Sequence, residues 1–211
     1  MKRMHLAALA LLGTIGGAAA GQQTARVPVA TDSRVWIEGT SNLHDWSCKA
    51  QTLDASVELD AAEAAQLAVA PPKALKHVQV KVPVKSLKCG HDAMDNNLYK
   101  ALNADATPEI TYIMASFDAS PGAVKDTFTL HATGTLQVAG KTNNIALDVT
   151  AVRLADGTVK ATGIVPIRMT DYGIKPPTAI FGRLKTGDEV KVNFELVVGA
   201  KAIAAALGQL Q

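Results

Sequence analysis

Two cysteines and two histidines form two close pairs along the chain. His44 precedes Cys48 by four positions, and Cys89 precedes His91 by two. Two thiolates and two imidazoles are a good ligand set for zinc, although this spacing matches no common zinc pattern. In an oxidising compartment Cys48 and Cys89 would instead form a disulfide. The residues leave open a disulfide, which an exported chain favours, a metal site, or two separate thiols.

A general base is the second chemistry that these residues suggest. Asp45 follows His44, but neighbouring residues of an extended chain point to opposite faces, so Asp45 would orient the imidazole only in a sharp turn. No serine nucleophile accompanies the pair, and a disulfide would silence Cys48. We therefore expect Asp45 to cap this polar turn, and His44 and Trp46 to lie at the mouth of a barrel, where His44 contacts a ligand or simply packs. A metal-dependent or hydrolytic enzyme that uses His44, Cys48, Cys89 and His91 is the alternative.

The N-terminus is typical of an export signal. Lys2 and Arg3 precede an apolar run from Leu6 to Ile15, and small residues follow at 18–20. This pattern predicts a signal peptide over residues 1–20, a single domain over 21–211, and a periplasmic or secreted protein.

Charge excludes some partner classes. The full chain has 21 Lys and Arg against 19 Asp and Glu, and loss of Lys2 and Arg3 would leave the two signs balanced. Without a basic surplus, nucleic acid is not expected as a partner.

The stretch from Val78 to Met114 organises the rest of the chain. Valines alternate with polar residues from Val78 to Val84, which predicts a strand with one apolar face. After Asp92, apolar residues recur at helical spacing, and a new alternation of apolar and polar residues begins at Ile110. A short helix between two-faced strands predicts a curved sheet with a lid.

Alternation recurs through most of the remaining chain. Asp156-Gly157 is a hairpin signal, Asp60 is a candidate N-cap for a helix over residues 61–70, and residues 201–210 predict a C-terminal helix. Long apolar runs typical of parallel sheets are absent from the sequence. We therefore predict an all-β fold: a closed antiparallel barrel of about eight strands, with two or three short helices, one of which caps the barrel.

About eight strands leave room for one small ligand inside a closed barrel. Gly134 and Gly163 would leave part of the lumen unfilled, or they would only allow the strands to bend around a solid core. The sequence does not choose between these two interpretations.

Several segments together resemble the YceI-like family of exported proteins. In order along the chain, they are Ser41-Asn-Leu-His-Asp-Trp46, Val82-Pro-Val-Lys-Ser-Leu87, Met94-Asp-Asn-Asn-Leu-Tyr-Lys-Ala-Leu102, Pro108-Glu-Ile-Thr-Tyr112, Gly134-Thr-Leu-Gln-Val-Ala-Gly140, Ile167-Arg-Met-Thr-Asp-Tyr-Gly-Ile174 and Gly187-Asp-Glu-Val190. The resemblance spans roughly Val35 to Leu196. It implies a lipocalin-like barrel whose apolar slot takes a polyisoprenoid chain, such as a quinone or polyprenyl tail. The family commonly has an Arg-Asp pair at the start of the central helix, whereas Met94 precedes Asp95 here, so no headgroup contact is carried over through this position.

The expected function is therefore non-enzymatic binding or transport of an isoprenoid lipid. The candidate lumen residues are apolar side chains of the alternating strands and the central helix: Val80, Val82, Val84, Met94, Leu98, Ile110, Tyr112, Met114, Phe128, Leu130, Leu136, Val165 and Phe194. We expect no cofactor and no metal. The sequence leaves a homodimer and an unidentified protein partner open, and a structural barrel with a filled core is a further alternative.

Overall fold

The structure is a computed structural model, which describes residues 23–64, 73–179 and 183–209. The predicted signal peptide lies outside these residues, as does the second half of the helix predicted over 61–70. No helix in the described ranges is both long and apolar enough to cross a membrane.

Strands dominate the described chain. They are β1 (Thr24–Pro28), β2 (Arg34–Ser41), β3 (Trp46–Ala50), β4 (Asp54–Asp60), β5 (Leu75–Pro83), β6 (Leu87–Lys88), β7 (Glu109–Pro121), β8 (Thr127–Val138), β9 (Lys141–Arg153), β10 (Val159–Arg168), β11 (Thr178–Ala179) and β12 (Leu184–Val198). The helices are α1 (Ala61–Ala64), α2 (Asp92–Ala101) and α3 (Ala200–Gly208), and single 3-10 turns lie at Val84–Ser86 and Thr170–Tyr172.

The strands form one antiparallel sheet, as predicted. Its hydrogen-bonded order is β1-β4-β5-β7-β8-β9-β10-β12-β2-β3-β6, and β11 pairs with β12. β5 and β6 belong to one run of chain, interrupted by the 3-10 turn at Val84–Ser86, and β6 pairs with β3 at the far end of the order. The sheet therefore curves strongly enough for a single segment to touch both of its sides.

The predicted count of about eight strands is wrong. Eleven strands lie in the sheet order, because the chain forms more short strands than the alternation indicated. Three of these strands, β1, β3 and β6, are only two to five residues long. Segments of two to five residues are too short for period-2 alternation to separate them from loops.

The predicted closed barrel is a half-barrel. Among the described residues no ladder joins β1 to β6, and β9 pairs with β10 over only four residue pairs, from Val159↔Arg153 to Thr162↔Thr150. From Gly163 onwards, β10 pairs with β12 alone in the described chain. Pro166 lies in this part of β10, and proline, which has no N–H to donate, is confined to strand edges. The wall is therefore incompletely paired between β9 and β10.

The helices close the two ends of the curved sheet. Asp60 caps α1 as predicted, because its Oδ1 accepts hydrogen bonds from the N–H groups of Ala62 and Glu63 at 3.0 and 3.1 Å. At the same end Ile203 and Leu207 of α3 pack against a cluster that contains Val27 and Val57. The predicted central helix, α2, lies at the other end, where Leu98 packs against the larger core cluster.

Candidate functional site

Two adjoining apolar cavities lie within the curve of the sheet. The α3-side cavity has a volume of about 220 Å³, and Ile203 of α3 lies at its end. The α2-side cavity has a volume of about 350 Å³ and is covered by Met94 and Leu98 of α2. Five residues line both cavities and mark where they meet: Val35, Val82, Ile110, Leu136 and Val192. Together the cavities form an elongated apolar lumen.

Most of the candidate lumen residues line one or both cavities. Nine contact the α3-side cavity: Val80, Val82, Ile110, Tyr112, Met114, Leu130, Leu136, Val165 and Phe194. Met94 and Leu98 contact the α2-side cavity, together with His44, Trp46, Cys48 and Cys89. Those that lie on strands or on α2 face the cavities as the periodicity of their elements predicts.

Two candidate residues line neither cavity. Val84 lies in the 3-10 turn, where it is fully buried in the larger core cluster, and its N–H donates to Pro108 O at 2.8 Å. The turn rotates Val84 out of the strand alternation that Val80 and Val82 follow. Phe128 is opposite Pro121 in the last pair of the β7–β8 ladder, beyond the end of the cavity.

The sequence analysis missed lumen residues of two kinds. Val192 shares the alternation of Phe194 on β12, so the same pattern could have identified it. Tyr172 and Ile174 also line the α2-side cavity, from the loop that follows β10. Their segment has neither helical nor strand periodicity, so periodicity could not place them at the cavity, although the segment is one of those that resemble the YceI-like family.

Aromatic rings occupy the space beside Gly134 and Gly163, for which the sequence left both unfilled lumen and strand bending open. A Cβ on Gly134 would lie 2.8 Å from Cε2 of Tyr112, and one on Gly163 would lie 2.5 Å from Cζ of Phe194. These rings pack across neighbouring strands onto backbone, a known way to compensate for glycine in a sheet. The glycines therefore position the rings, and the open volume arises elsewhere in the lumen.

Tyr112 places a polar group in this apolar wall. Its hydroxyl is the one buried side-chain oxygen or nitrogen in the described part of the chain without a hydrogen-bond partner. Desolvation by the surrounding apolar residues raises the pKa of Tyr112 from 10.0 to about 12. A buried, unpaired hydroxyl costs stability in the folded state.

Replacing Tyr112 with phenylalanine is expected to increase the free energy of unfolding by about 1 kcal/mol at pH 7, because an unpaired polar group is removed. The gain should grow with pH. The unfolded state releases the tyrosine proton near pH 10, whereas the folded state retains it up to about pH 12, so wild-type stability falls across this window and the variant avoids this loss. Urea unfolding at pH 7 and above pH 10 measures both effects.

Tyr99→Phe is the matched control for this substitution. The Tyr99 hydroxyl donates to the carbonyl oxygens of Lys85 and Leu87, at 3.0 and 2.8 Å, so its loss should destabilise the protein. If Tyr112→Phe is destabilising to the same degree, the Tyr112 hydroxyl has a partner and the assignment is wrong.

Two connections fix the start of α2 over its cavity. Cys48 on β3 and Cys89 form a disulfide, which confirms that alternative for the two cysteines. Asp95 of α2, which is buried, accepts the Cys89 N–H at 2.7 Å and pairs with Lys88 at 3.1 Å. The Cys89 N–H, together with Lys88, holds the pKa of Asp95 below its usual value. Asp95 therefore ties α2 to β6.

The disulfide occupies both thiols on which the alternative metal-dependent or hydrolytic enzyme depends. His44 is exposed at the rim of the α2-side cavity, and its Nδ1 lies 2.8 Å from its neighbour's carbonyl oxygen, Asp45 O. His91 is the N-cap residue of α2. Within the described ranges, no three His, Cys, Asp or Glu side chains are grouped so that they could hold a metal ion.

Several solved structures share this fold. BcnA from Burkholderia cenocepacia is 20% identical, with a TM-score of 0.62 over 81% of this chain and 99% of that one. A polyisoprenoid binding domain from Saccharophagus degradans, implicated in plant cell wall breakdown, is 15% identical, with a TM-score of 0.61 over 84% and 99%. The YceI protein of Campylobacter jejuni is 20% identical, with a TM-score of 0.52 over 71% and 81%.

At these identities the structures establish the fold alone. No curated protein matches the sequence. The family comparison is more direct, because the sequence model of the YceI-like domain matches residues 29–198, most of the chain, and spans every strand that lines the lumen. The chain therefore belongs to the YceI-like domain family.

Proposed function

We propose that this protein is an exported, non-enzymatic binder of one isoprenoid lipid, whose tail lies in the apolar lumen. The observation that carries the proposal is the lumen itself: two cavities that meet at a shared ring of aliphatic side chains and are walled mainly by Val, Leu, Ile and Ala. The α2-side cavity alone, at about 350 Å³, has the size of a small-molecule site, which is roughly 300–1,000 Å³.

The energy of an unfilled lumen supports a bound ligand. At roughly 24 cal/mol per Å³, a closed and empty void of the volume of the α3-side cavity, about 220 Å³, would cost on the order of 5 kcal/mol. That is a large fraction of a domain's stability, which is about 5–15 kcal/mol. A branched, narrow hydrocarbon chain would recover this energy without requiring hydrogen-bonding groups from the wall.

The polarity of the two cavities suggests the direction of the ligand. Polar side chains line only the α2-side cavity in the described chain, apart from Tyr112, and they include Ser41, His44 and Thr178 at its rim. A lipid headgroup would remain near these residues, and the tail would extend past Val82 towards α3.

Two further observations support parts of the proposal. The Saccharophagus degradans relative with this fold is described as a polyisoprenoid binding domain. The Cys48–Cys89 disulfide is typical of proteins that fold in an oxidising compartment, which agrees with export to the periplasm or beyond.

Binding of a labelled isoprenoid tests the proposal. Delipidated protein titrated with geranylgeraniol that carries a nitrobenzoxadiazole fluorophore should show saturable binding of one probe per chain, with increased emission. Unlabelled geranylgeraniol should compete better than the shorter farnesol, because it buries more apolar area. Organic extraction of the freshly purified protein, followed by mass spectrometry, should release a lipid. Empty extracts together with no saturable binding would contradict the proposal.

A further inference from the structure

An exposed leucine lies beside the opening of the α2-side cavity. The turn between β2 and β3, residues 42–45, is called here the mouth turn, and at its tip Leu43 has 69% of its surface exposed. His44, the next residue, lines the cavity together with Ser41 and Trp46. The apolar tip and the cavity opening therefore share one rim.

Hydrogen bonds hold the mouth turn in place. The Ser41 hydroxyl, rather than the Asp45 side chain expected from the sequence, caps the turn by accepting the N–H groups of Leu43 and His44 at 3.2 and 3.1 Å. Asn42 joins the turn to β12: its N–H donates to Lys185 O at 3.0 Å, and its Oδ1 accepts the Lys185 N–H at 2.8 Å. Leu43 is thus presented to solvent by an ordered turn.

Two cations lie next to this tip. Arg183 and Lys185 are both exposed and alternate with Leu184, which lines the α2-side cavity, so both point away from the lumen. Neither cation forms a salt bridge within the described part of the chain. Asp45 is the acidic residue of the mouth turn, so the mouth turn and residues 183–185 together carry two cations against one carboxylate.

We propose that Leu43, Arg183 and Lys185 form a docking surface for an anionic phospholipid bilayer. An apolar tip flanked by unpaired cations is complementary to a membrane surface: the leucine enters the interfacial region and the cations contact lipid phosphates. Docked in this way, the opening of the α2-side cavity faces the lipid. The transfer of a chain between bilayer and lumen rests on the function proposed above, whereas the docking itself can be measured without a lumen ligand.

Vesicle sedimentation tests the docking surface. The full mature chain should sediment with vesicles of mixed phosphatidylcholine and phosphatidylglycerol, should sediment much less with phosphatidylcholine alone, and should be released by salt. Arg183→Gln and Lys185→Gln should each lower the partition coefficient about fivefold. Leu43→Asn should lower it roughly tenfold, through loss of the buried apolar area.

The opposite end of the molecule provides a matched control. Val124 in the β7–β8 turn is 67% exposed and is followed by Lys125, so Val124→Asn and Lys125→Gln make the same chemical changes away from the cavity opening. They should leave vesicle binding unchanged. The geranylgeranyl probe should bind all of these variants as it binds wild type, which shows that they are folded and keeps this test separate from that of the lumen.

Three outcomes would overturn the docking proposal. One is the absence of sedimentation with anionic vesicles. Another is an equal loss of binding in the Val124 and Lys125 variants. The third is a change in oligomeric state on Leu43→Asn with no change in vesicle binding, because the leucine would then contact a second copy of the chain.

Discussion

Substituting Ala161 with phenylalanine is expected to weaken binding of the geranylgeranyl probe about 60-fold. Ala161 lies on β10, opposite Leu196 of β12, and its side chain lines the α3-side cavity. A phenyl ring there would take up the space that part of the tail needs. If it excludes about 100 Å² of the ligand's apolar surface, the loss at roughly 25 cal/mol per Å² is about 2.5 kcal/mol.

The measurement is a fluorescence titration of wild type and Ala161→Phe. Ala146→Phe is the matched control, because Ala146 is exposed on the opposite face of the neighbouring strand β9. The control should bind the probe with wild-type affinity. Because the new ring fills open volume, Ala161→Phe should unfold at the same or a higher urea concentration than wild type. Equal affinity in the two variants would show that the tail does not occupy the α3-side cavity.

Reducing the disulfide is expected to lower the free energy of unfolding by about 4 kcal/mol. The bond joins Cys48 and Cys89 across a separation of 41 residues, and chain-entropy arguments assign a loop of that length roughly this stabilisation. Since the bond also ties the start of α2 to β3, its loss should release the helix that covers the α2-side cavity. Probe affinity should therefore fall together with stability.

Urea unfolding with and without dithiothreitol measures this effect. Cys48→Ala combined with Cys89→Ala should unfold at a urea concentration close to that of the reduced wild type, and dithiothreitol should not affect this variant. Asp95→Asn provides a separate comparison, because it weakens the connection of α2 to Cys89 and Lys88 without breaking the covalent bond. If reduction leaves the unfolding midpoint unchanged, the disulfide does not constrain the unfolded chain as argued.

Properties that depend on neighbouring residues were predictable from the sequence. Alternation along β5, β7, β8, β10 and β12 identified an antiparallel sheet and placed side chains such as Val82, Ile110 and Leu136 towards the lumen. Helical spacing after Asp92 identified α2, and Asp60 was recognised as a cap from its position before a helical run. Each of these features follows from local backbone geometry, which the sequence records directly.

Properties that depend on distant segments were decided by the tertiary structure. The alternation does not show that β10 leaves β9 after Thr162, that Val84 turns out of its strand, or that rings fill the space beside Gly134 and Gly163. The pairing of Cys48 with Cys89 was one of three alternatives until the sheet brought β3 against β6. No sequence pattern indicates that Leu43 lies beside two cations, because its turn is joined to β12 only through Asn42. Residues near in sequence determine which face a side chain takes, but ladder breaks, cross-strand packing and shared rims arise from contacts between segments far apart in sequence, whose register no local pattern encodes.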